Sequence, residues 1–305
     1  MCVPDEGHLL AERQNQPGLL RLLRAASVSH RRAQRLDASQ LGVSVFVAAL
    51  GLVAAFASVT ETPIAILGGL WAVAYSSGLA AWGENERRRA ALLQEMFDVQ
   101  AFELPWNEVI AGEPLAPQEV SRLSQQCRSS DELFRDYYLV PVVARPYDVL
   151  GCQQQNLGWA ARVRRRYARA LLAAAGIWSG AGLLVGWLGG LNVSELLLRW
   201  YLPSLGALLL AVDTYRAQYD AAAERERVLS LMNAHLSGAA RLATSEAAGP
   251  LLAFAREIQD VIFKTRTQHT RVPNLFFRRF RVQDRTDFEA AMTELQRTIS
   301  SKSSY

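Results

Sequence analysis

ASQLGVSVFVAALGLVAAFASVT, residues 38–60, carries no charged side chain, and its reading decides the fold. A helix needs roughly 20 residues to cross the ~30 Å hydrocarbon core of a bilayer, and a soluble core helix seldom needs so long an apolar run. Residues 62–83 and 170–194 are also uncharged, and residues 196–212 hold only Arg199. The expected spans are about Leu41–Val59, Pro63–Trp82, Ala170–Leu188 and Leu196–Val212. They form two close pairs. Thr60, Glu61 and Thr62 make the first turn, and Gly189 to Glu195 make the second.

Arginines set the orientation. Arg21, Arg24, Arg31, Arg32 and Arg35 precede the first span, and Arg87, Arg88 and Arg89 follow the second. Arg162, Arg164, Arg165, Arg166 and Arg169 precede the third, and Arg216, Arg225 and Arg227 follow the fourth, whereas neither short turn holds a Lys or Arg. Both termini and the long middle segment are therefore expected on the cytoplasmic side of a bacterial inner membrane. With so little chain outside, an ectodomain receptor is excluded. The Asn192-Val193-Ser194 sequon lies close to the bilayer and reads as chance.

The 305 residues are 50% hydrophobic with a net charge of +4 and a pI of 9.1. That basic excess sits beside the spans, where it meets anionic headgroups. It forms no nucleic-acid motif, so no nucleic-acid partner is expected. Cys2, Cys127 and Cys152 have no disulfide or zinc spacing, and His8, His30, His235 and His269 are scattered. No nucleophile elbow, phosphate loop or zinc-protease helix is present. No metal, cofactor or catalytic residue is expected, and the chain does not read as an enzyme. The N-terminal segment has no apolar core of a signal peptide.

Small residues recur at helical spacing: Gly68, Ala72, Ser76 and Ala80 in the second span, Gly182, Gly186 and Gly190 in the third. Gly176 and Gly180 form another stripe, and Gly51 and Ala55 lie in the first span. Such stripes let helices approach closely in lipid, within one protomer or between protomers. Arg199 lies one turn inside the fourth span and reads either as snorkelling outward or as a pore or subunit contact. Pro203 is expected to bend that helix. Four spans with few polar residues make a poor monomeric channel. A pore would take a homo-oligomer, with Ser76, Ser179 and Arg199 as lining candidates.

The remainder reads as all-α. The expected organisation is an N-terminal cytoplasmic segment 1–40, a transmembrane hairpin 41–82, a cytoplasmic helical segment 83–169, a second hairpin 170–212 and a C-terminal helical segment 213–305. Leu92, Leu93, Met96 and Phe97 continue the second span as a helix that stops near Leu104-Pro105-Trp106-Asn107. Pro117 starts a helix with Val120, Leu123 and Cys127 on one face. A helix from Asp148 runs into the third span, and another runs from Asp213 toward Ala247. Gly249-Pro250 breaks the chain before a helix over 251–268 that buries Leu251, Phe254, Ile258, Val261 and Ile262. Thr286 and Glu289 form a capping box before Met292 and Leu295.

Four cytoplasmic motifs in order resemble those of a bacterial family. They are Leu93-Gln94-Glu95-Met96-Phe97-Asp98 continuing to Leu104-Pro105-Trp106-Asn107, then Leu133-Phe134-Arg135-Asp136-Tyr137-Tyr138. Cys152-Gln153-Gln154-Gln155-Asn156-Leu157-Gly158-Trp159 with Arg164-Arg165-Arg166-Tyr167 follows, and Glu257-Ile258-Gln259-Asp260-Val261-Ile262-Phe263 with Arg266 and Pro273 comes last. With the two hairpins they resemble, over residues 30–295, the SMODS-associated four-transmembrane pore-forming effectors of second-messenger anti-phage defence. The chain departs from the family at Gln154, often a basic residue there, and at Tyr137-Tyr138-Leu139-Val140-Pro141.

The resemblance implies a membrane effector. A partner synthetase would make a cyclic nucleotide, the cytoplasmic domain would sense it, and the spans would breach the inner membrane in abortive infection. Bases are held by stacking and amide hydrogen bonds and phosphates by Arg, which makes Trp106, Asn107, Gln155 and Asn156, with Arg135, Arg145 and Arg266, the candidate ligand residues. The plainer alternative is a buried polar network, with Asp136 or Asp260 paired to an Arg. A membrane adaptor that anchors a cytoplasmic partner is the competing function. A small transporter or lipid-acting enzyme comes third, and no mid-membrane acid supports it.

Overall fold

A computed structural model describes residues 6–57, 66, 70, 71, 78–242, 248–273, 276, 279 and 293. Among these residues there is no strand. The helices are α1 (Glu6–Arg13), α2 (Pro17–Ala57), α3 (Ala80–Phe102), α4 (Glu108–Ala111), α5 (Pro117–Gln125), α6 (Tyr147–Leu188), α7 (Val193–Leu196), α8 (Leu202–Leu242) and α9 (Ala248–Gln268). A five-residue π-helical turn, Leu197–Tyr201, separates α7 from α8.

Three helices are long and apolar enough to cross a membrane: Pro17–Val53, Tyr147–Leu188 and Val193–Leu236. Each changes character along its length. In α2, Leu19, Leu22, Leu23 and Ala26 are buried, while Val45, Phe46 and Val53 are more than half exposed. In α6, Val149, Leu150 and Leu157 are sealed, whereas Ile177, Trp187 and Leu188 are about three-quarters exposed. Water does not tolerate contiguous apolar surface on this scale, and lipid does. Most of the second expected span, with the Gly68 and Ser76 within it, and the Thr286–Glu289 capping box lie outside the described residues.

The chain divides into two compact units. One is drawn from Met1–Arg31, Glu86–Val163 and Ala221–Tyr305, the other from Arg32–Asn85 and Arg164–Asp220. The first holds the core, which gathers Leu10, Leu23, Phe97, Phe102, Leu123, Leu150, Leu157, Met232, Ile258 and Ile262. Helix α5 starts at Pro117 and buries Val120 and Leu123, with Cys127 just beyond its end, as its spacing predicts. Gly249 and Pro250 form the first turn of α9, where proline's missing N–H costs nothing. Leu251, Ile258 and Ile262 are buried on that helix, and Phe254 and Val261 pack against the core. Within the expected segment 1–40, α2 already opens at Pro17, well before the uncharged run that begins at residue 38.

In the second unit, α6 ends in a left-handed glycine cap. Gly190 has φ +62°, and Leu191 N donates to Gly186 O at 2.9 Å. The turn is shorter than expected, because Asn192 already caps α7: its side chain accepts from Glu195 N, and Glu195 reaches back to Asn192 N. Asn192 therefore has a structural use in this turn. Gly182 faces Trp200 and Gly186 faces Leu196 of the same chain. A Cβ on Gly182 would stand 2.5 Å from the Trp200 ring, and one on Gly51 would stand 2.7 Å from Pro203. Among the described residues, nothing beyond their own helix lies within 4 Å of a Cβ built on Gly176 or Gly180. Arg199 stands 3.9 Å from Glu195, with both side chains partly exposed. The Ser179 carbonyl accepts from the Tyr201 hydroxyl at 2.7 Å. Pro203 follows the π-helical turn, which absorbs its missing donor and ring bulk without ending the helix.

Candidate functional site

The polar residues of the first unit converge on two carboxylates of α3. Glu95 and Asp98 are three positions apart and share a helix face, and each side chain is only 1% exposed. Burying two adjacent acids is unfavourable unless donors surround them. Helix α9 supplies those donors. Arg256 reaches Glu95 at 2.7 Å and Asp260 at 2.6 Å. Gln259 donates to Glu95 at 2.8 Å and to Asp98 at 2.9 Å. Arg266 donates to Asp98 at 2.6 Å. Burial and the nearby Asp98 charge hold the Glu95 carboxyl above the usual carboxylate range, against the pull of Arg256.

The network spreads to three other elements. The Tyr138 hydroxyl donates to Asp98 at 2.8 Å and accepts from Asn156 of α6 at 3.1 Å. Arg225 of α8 closes the row on Asn156 at 3.2 Å. Burial pushes the Tyr138 phenol well above its ordinary value. Gln153 ties α6 to α9 through Ala255 O at 2.8 Å. One continuous chain of hydrogen bonds thus joins α3, α6, α8, α9 and the 131–146 connection.

The candidate ligand residues separate into distinct surroundings. Asn107 donates to Asp260 at 2.9 Å, and Asn156 and Arg266 lie within the network. Gln155 accepts from Leu139 N at 3.0 Å. Trp106 donates to Gly112 O at 2.9 Å and is packed beside α4. Arg145 caps the C-terminal end of α3, donating to Phe102 O at 2.7 Å, and Arg13 donates to Ala101 O at 3.0 Å beside it. Two guanidiniums at the negative end of a helix dipole are a stabilising arrangement. Arg135 is exposed. Asp260 pairs with Arg256, and Asp136 pairs with Asn15.

Glu95, Asp98, Arg256, Gln259, Tyr138 and Arg225 were absent from the candidates that residue chemistry suggested. A signal existed: Glu95 and Asp98 are three positions apart, and Arg256 and Asp260 four apart, so each pair shares a helix face. The pairing between faces more than 160 positions apart was not readable.

A family model described as the SMODS-associating 4TM effector domain matches residues 9–295. A probable CBASS effector molecule of Bacillus cereus (strain VD146) is 22% identical over 214 residues, which covers 67% of this chain and 72% of that protein. No solved structure matches.

Proposed function

As this chain belongs to the SMODS-associating 4TM effector domain family, we propose that it is a membrane effector of anti-phage defence that a nucleotide second messenger switches on. In this reading a partner synthetase makes a cyclic nucleotide, the polar-cored unit senses it in the cytoplasm, and the apolar unit breaches the inner membrane. Both termini and the segments 1–40, 83–169 and 213–305 face the cytoplasm, as the arginine distribution argues. Several protomers contribute to the breach, because spans this poor in polar side chains do not line water singly.

The observation that carries the reading is the continuity of α2, α6 and α8. Each is one helix whose buried part packs in the core beside the polar network and whose remaining part is exposed and apolar. A ligand shifts such a protein only by binding one arrangement more tightly than the other. Asp98 accepts from Gln259, Arg266 and Tyr138 together, so a ligand that drew one donor away would leave the buried carboxylate still hydrogen-bonded.

The test is membrane potential, read with a voltage-sensitive dye in cells expressing the chain with and without a partner second-messenger synthetase. Depolarisation only when both are active is expected. An unchanged potential, with the protein in the membrane and the nucleotide made, would overturn the reading and favour the adaptor that anchors a cytoplasmic partner.

A further inference from the structure

The apolar unit holds a pair of polar groups far from either end of its helices. Trp178 lies on α6, eight residues beyond Ala170, where the uncharged run begins, and ten before Leu188, where the helix ends. At 1.5 Å per residue it stands roughly 12 and 15 Å from those two points, near the middle of the expected span. Trp200, in the π-helical turn Leu197–Tyr201, packs against it with ring centroids 5.1 Å apart and tilted by 35°. Neither indole N–H has an acceptor among the described residues, and both nitrogens are sealed from the surface. A buried indole ordinarily finds a partner for its N–H. Tryptophan in membrane proteins concentrates at the two interfaces, where such partners are plentiful. Two unpaired donors at mid-span depart from both habits.

The surroundings hold the pair in place without satisfying it. The two neighbouring hydroxyls turn to backbone carbonyls: Tyr201 donates to Ser179 O at 2.7 Å, and Ser204 donates to Trp200 O at 2.7 Å. The Nε1 edge of Trp200 lies over Gly182, 2.5 Å from where a Cβ would stand, so only a hydrogen fits beneath it. Pro203, at the start of α8, meets Gly51 of α2 in the same way at 2.7 Å. The backbone is also unusual here, because a π-helical turn is a rare form that concentrates at functional positions. Packing alone does not call for the donors, since a phenylalanine ring would fill most of the same space with no N–H to satisfy.

A buried donor without an acceptor destabilises the arrangement that buries it, and the penalty disappears in any arrangement where water reaches the group. Packed together, both indoles carry that penalty. Parted, with water between α6 and the start of α8, both lose it. The pair therefore biases the unit toward a wet arrangement by the difference between the two, which is the quantity that a switch between two states needs. The means of parting are also present. Gly182 puts no side chain in the way of the Trp200 ring. A π-helical turn converts to α-helix by a one-residue shift in pairing, and that shift re-aims the side chains it carries.

We propose that Trp178 and Trp200 are the gate of the breach: packed together they seal the apolar unit, and when they part their indole N–H groups line the path that water takes. This rests on the reading of the chain as an effector that breaches the membrane, and it gives the breach a location. The gate differs from the lining that the sequence suggests. The Ser179 carbonyl is occupied by Tyr201, and Arg199 stands beside Glu195 nearer the outer turn.

The experiment uses the full chain, in lipid nanodiscs for thermal melting and in cells with an inducible partner synthetase for depolarisation, the amount in the membrane being matched by immunoblot. Trp178→Phe and Trp200→Phe keep an aromatic ring and remove the donor. Each is expected to melt a few degrees higher than wild type and to need about fivefold more synthetase for half-maximal depolarisation. Trp200→Ala, which removes the seal as well, should depolarise cells with no synthetase induced. Trp187→Phe alters a side chain that is 79% exposed and should match wild type in both assays. Phe variants that melt lower than wild type, or that depolarise at the wild-type synthetase level, would overturn the gate while a depolarising wild type leaves the effector reading intact. A Trp187→Phe protein shifted as far as the other two would overturn it as well, since the effect would then belong to any indole of the unit. A wild-type chain that never depolarises cells would take down both the gate and the reading beneath it.

Discussion

Arg266 and Asp98 meet at 2.6 Å with the guanidinium 8% and the carboxylate 1% exposed, across 168 positions of sequence. Their surroundings are unequal. Asp98 also accepts from the Tyr138 hydroxyl and Gln259, while Arg266 has Asp98 as the acceptor that offsets its burial. Losing one partner of a buried pair costs roughly 3–5 kcal/mol, because the other charge is left uncompensated. Asp98→Leu should therefore fall at or above the upper end, and Arg266→Leu at or below the lower. The midpoint of chemical denaturation of the full chain in detergent ranks the two, and an equal or reversed ranking would contradict the asymmetry.

His30 gives a pH dependence whose sign is fixed. Its folded value of about 3 lies below the unfolded 6.5, so between those pH values the unfolded chain holds the extra proton. Stability is unaffected above pH 6.5 and drops as pH falls from 6.5 toward 3, by about 1.4 kcal/mol per pH unit at most. Glu95 acts oppositely. Its folded value is raised, so in its window the folded chain holds the proton and acid stabilises. The net acid limb mixes both. His30→Gln, which keeps a donor for Gln94, should flatten the decline below pH 6.5 relative to wild type. Parallel melting-temperature profiles of the two proteins from pH 7 to 5 would rule this out.

Three of the expected spans, the start of α5 and the buried face of α9 were legible because each depends on local periodicity, whereas Arg24, Arg164 and Arg225, expected beside headgroups, pair with Asp131, Gln218 and Asn156 inside the protein. Leu251, Ile258 and Ile262 fall on one stripe whatever they meet. The early start of α2 was legible in principle, since Leu19, Leu22, Leu23 and Ala26 follow helical spacing, but the charged residues among them masked it. The Asn192–Glu195 capping box was readable from its spacing and was obscured by the overlapping sequon. Arg145 was a reasonable phosphate candidate and proves to cap α3, because its partners are backbone carbonyls that no side-chain pattern reveals. Gln14 and Asn15 are further cases. Nothing local to an α1–α2 turn announces that it clamps residues more than 120 positions away.

Gly182 is a steric requirement of the apolar unit. With a Cβ at 2.5 Å from the Trp200 ring, Gly182→Ala must displace an indole already packed against Trp178, the ring centroids 5.1 Å apart and tilted by 35°. Overpacking of that kind costs about 1–3 kcal/mol. Gly180→Ala meets nothing among the described residues beyond its own helix within 4 Å of its new methyl and gains the helix propensity of alanine, about 1 kcal/mol. The pair should shift the melting temperature of the nanodisc-embedded protein in opposite directions. A Gly180→Ala protein that melted lower than wild type would mean that this face is covered in the assembled protein.

Helix α6 offers the most direct test of whether sensing and breaching are linked through rigid helices. Ala160 lies in its polar-cored half, between Asn156 of the network and the run Arg164–Arg166. A proline there removes the hydrogen bond to the Asn156 carbonyl and presses its ring against that oxygen, at a cost of about 3 kcal/mol and a kink. If α6 transmits the signal, Ala160→Pro should still reach the membrane and still bind the cyclic nucleotide that the synthetase makes, but fail to depolarise cells when the synthetase is active. Depolarisation at the wild-type level would show that an unbroken α6 is unnecessary and shift the burden to α2 and α8. Loss of nucleotide binding as well would place the defect in the sensing unit itself, and Ala175→Pro, in the apolar half of the same helix, would then be the variant that separates transmission from sensing.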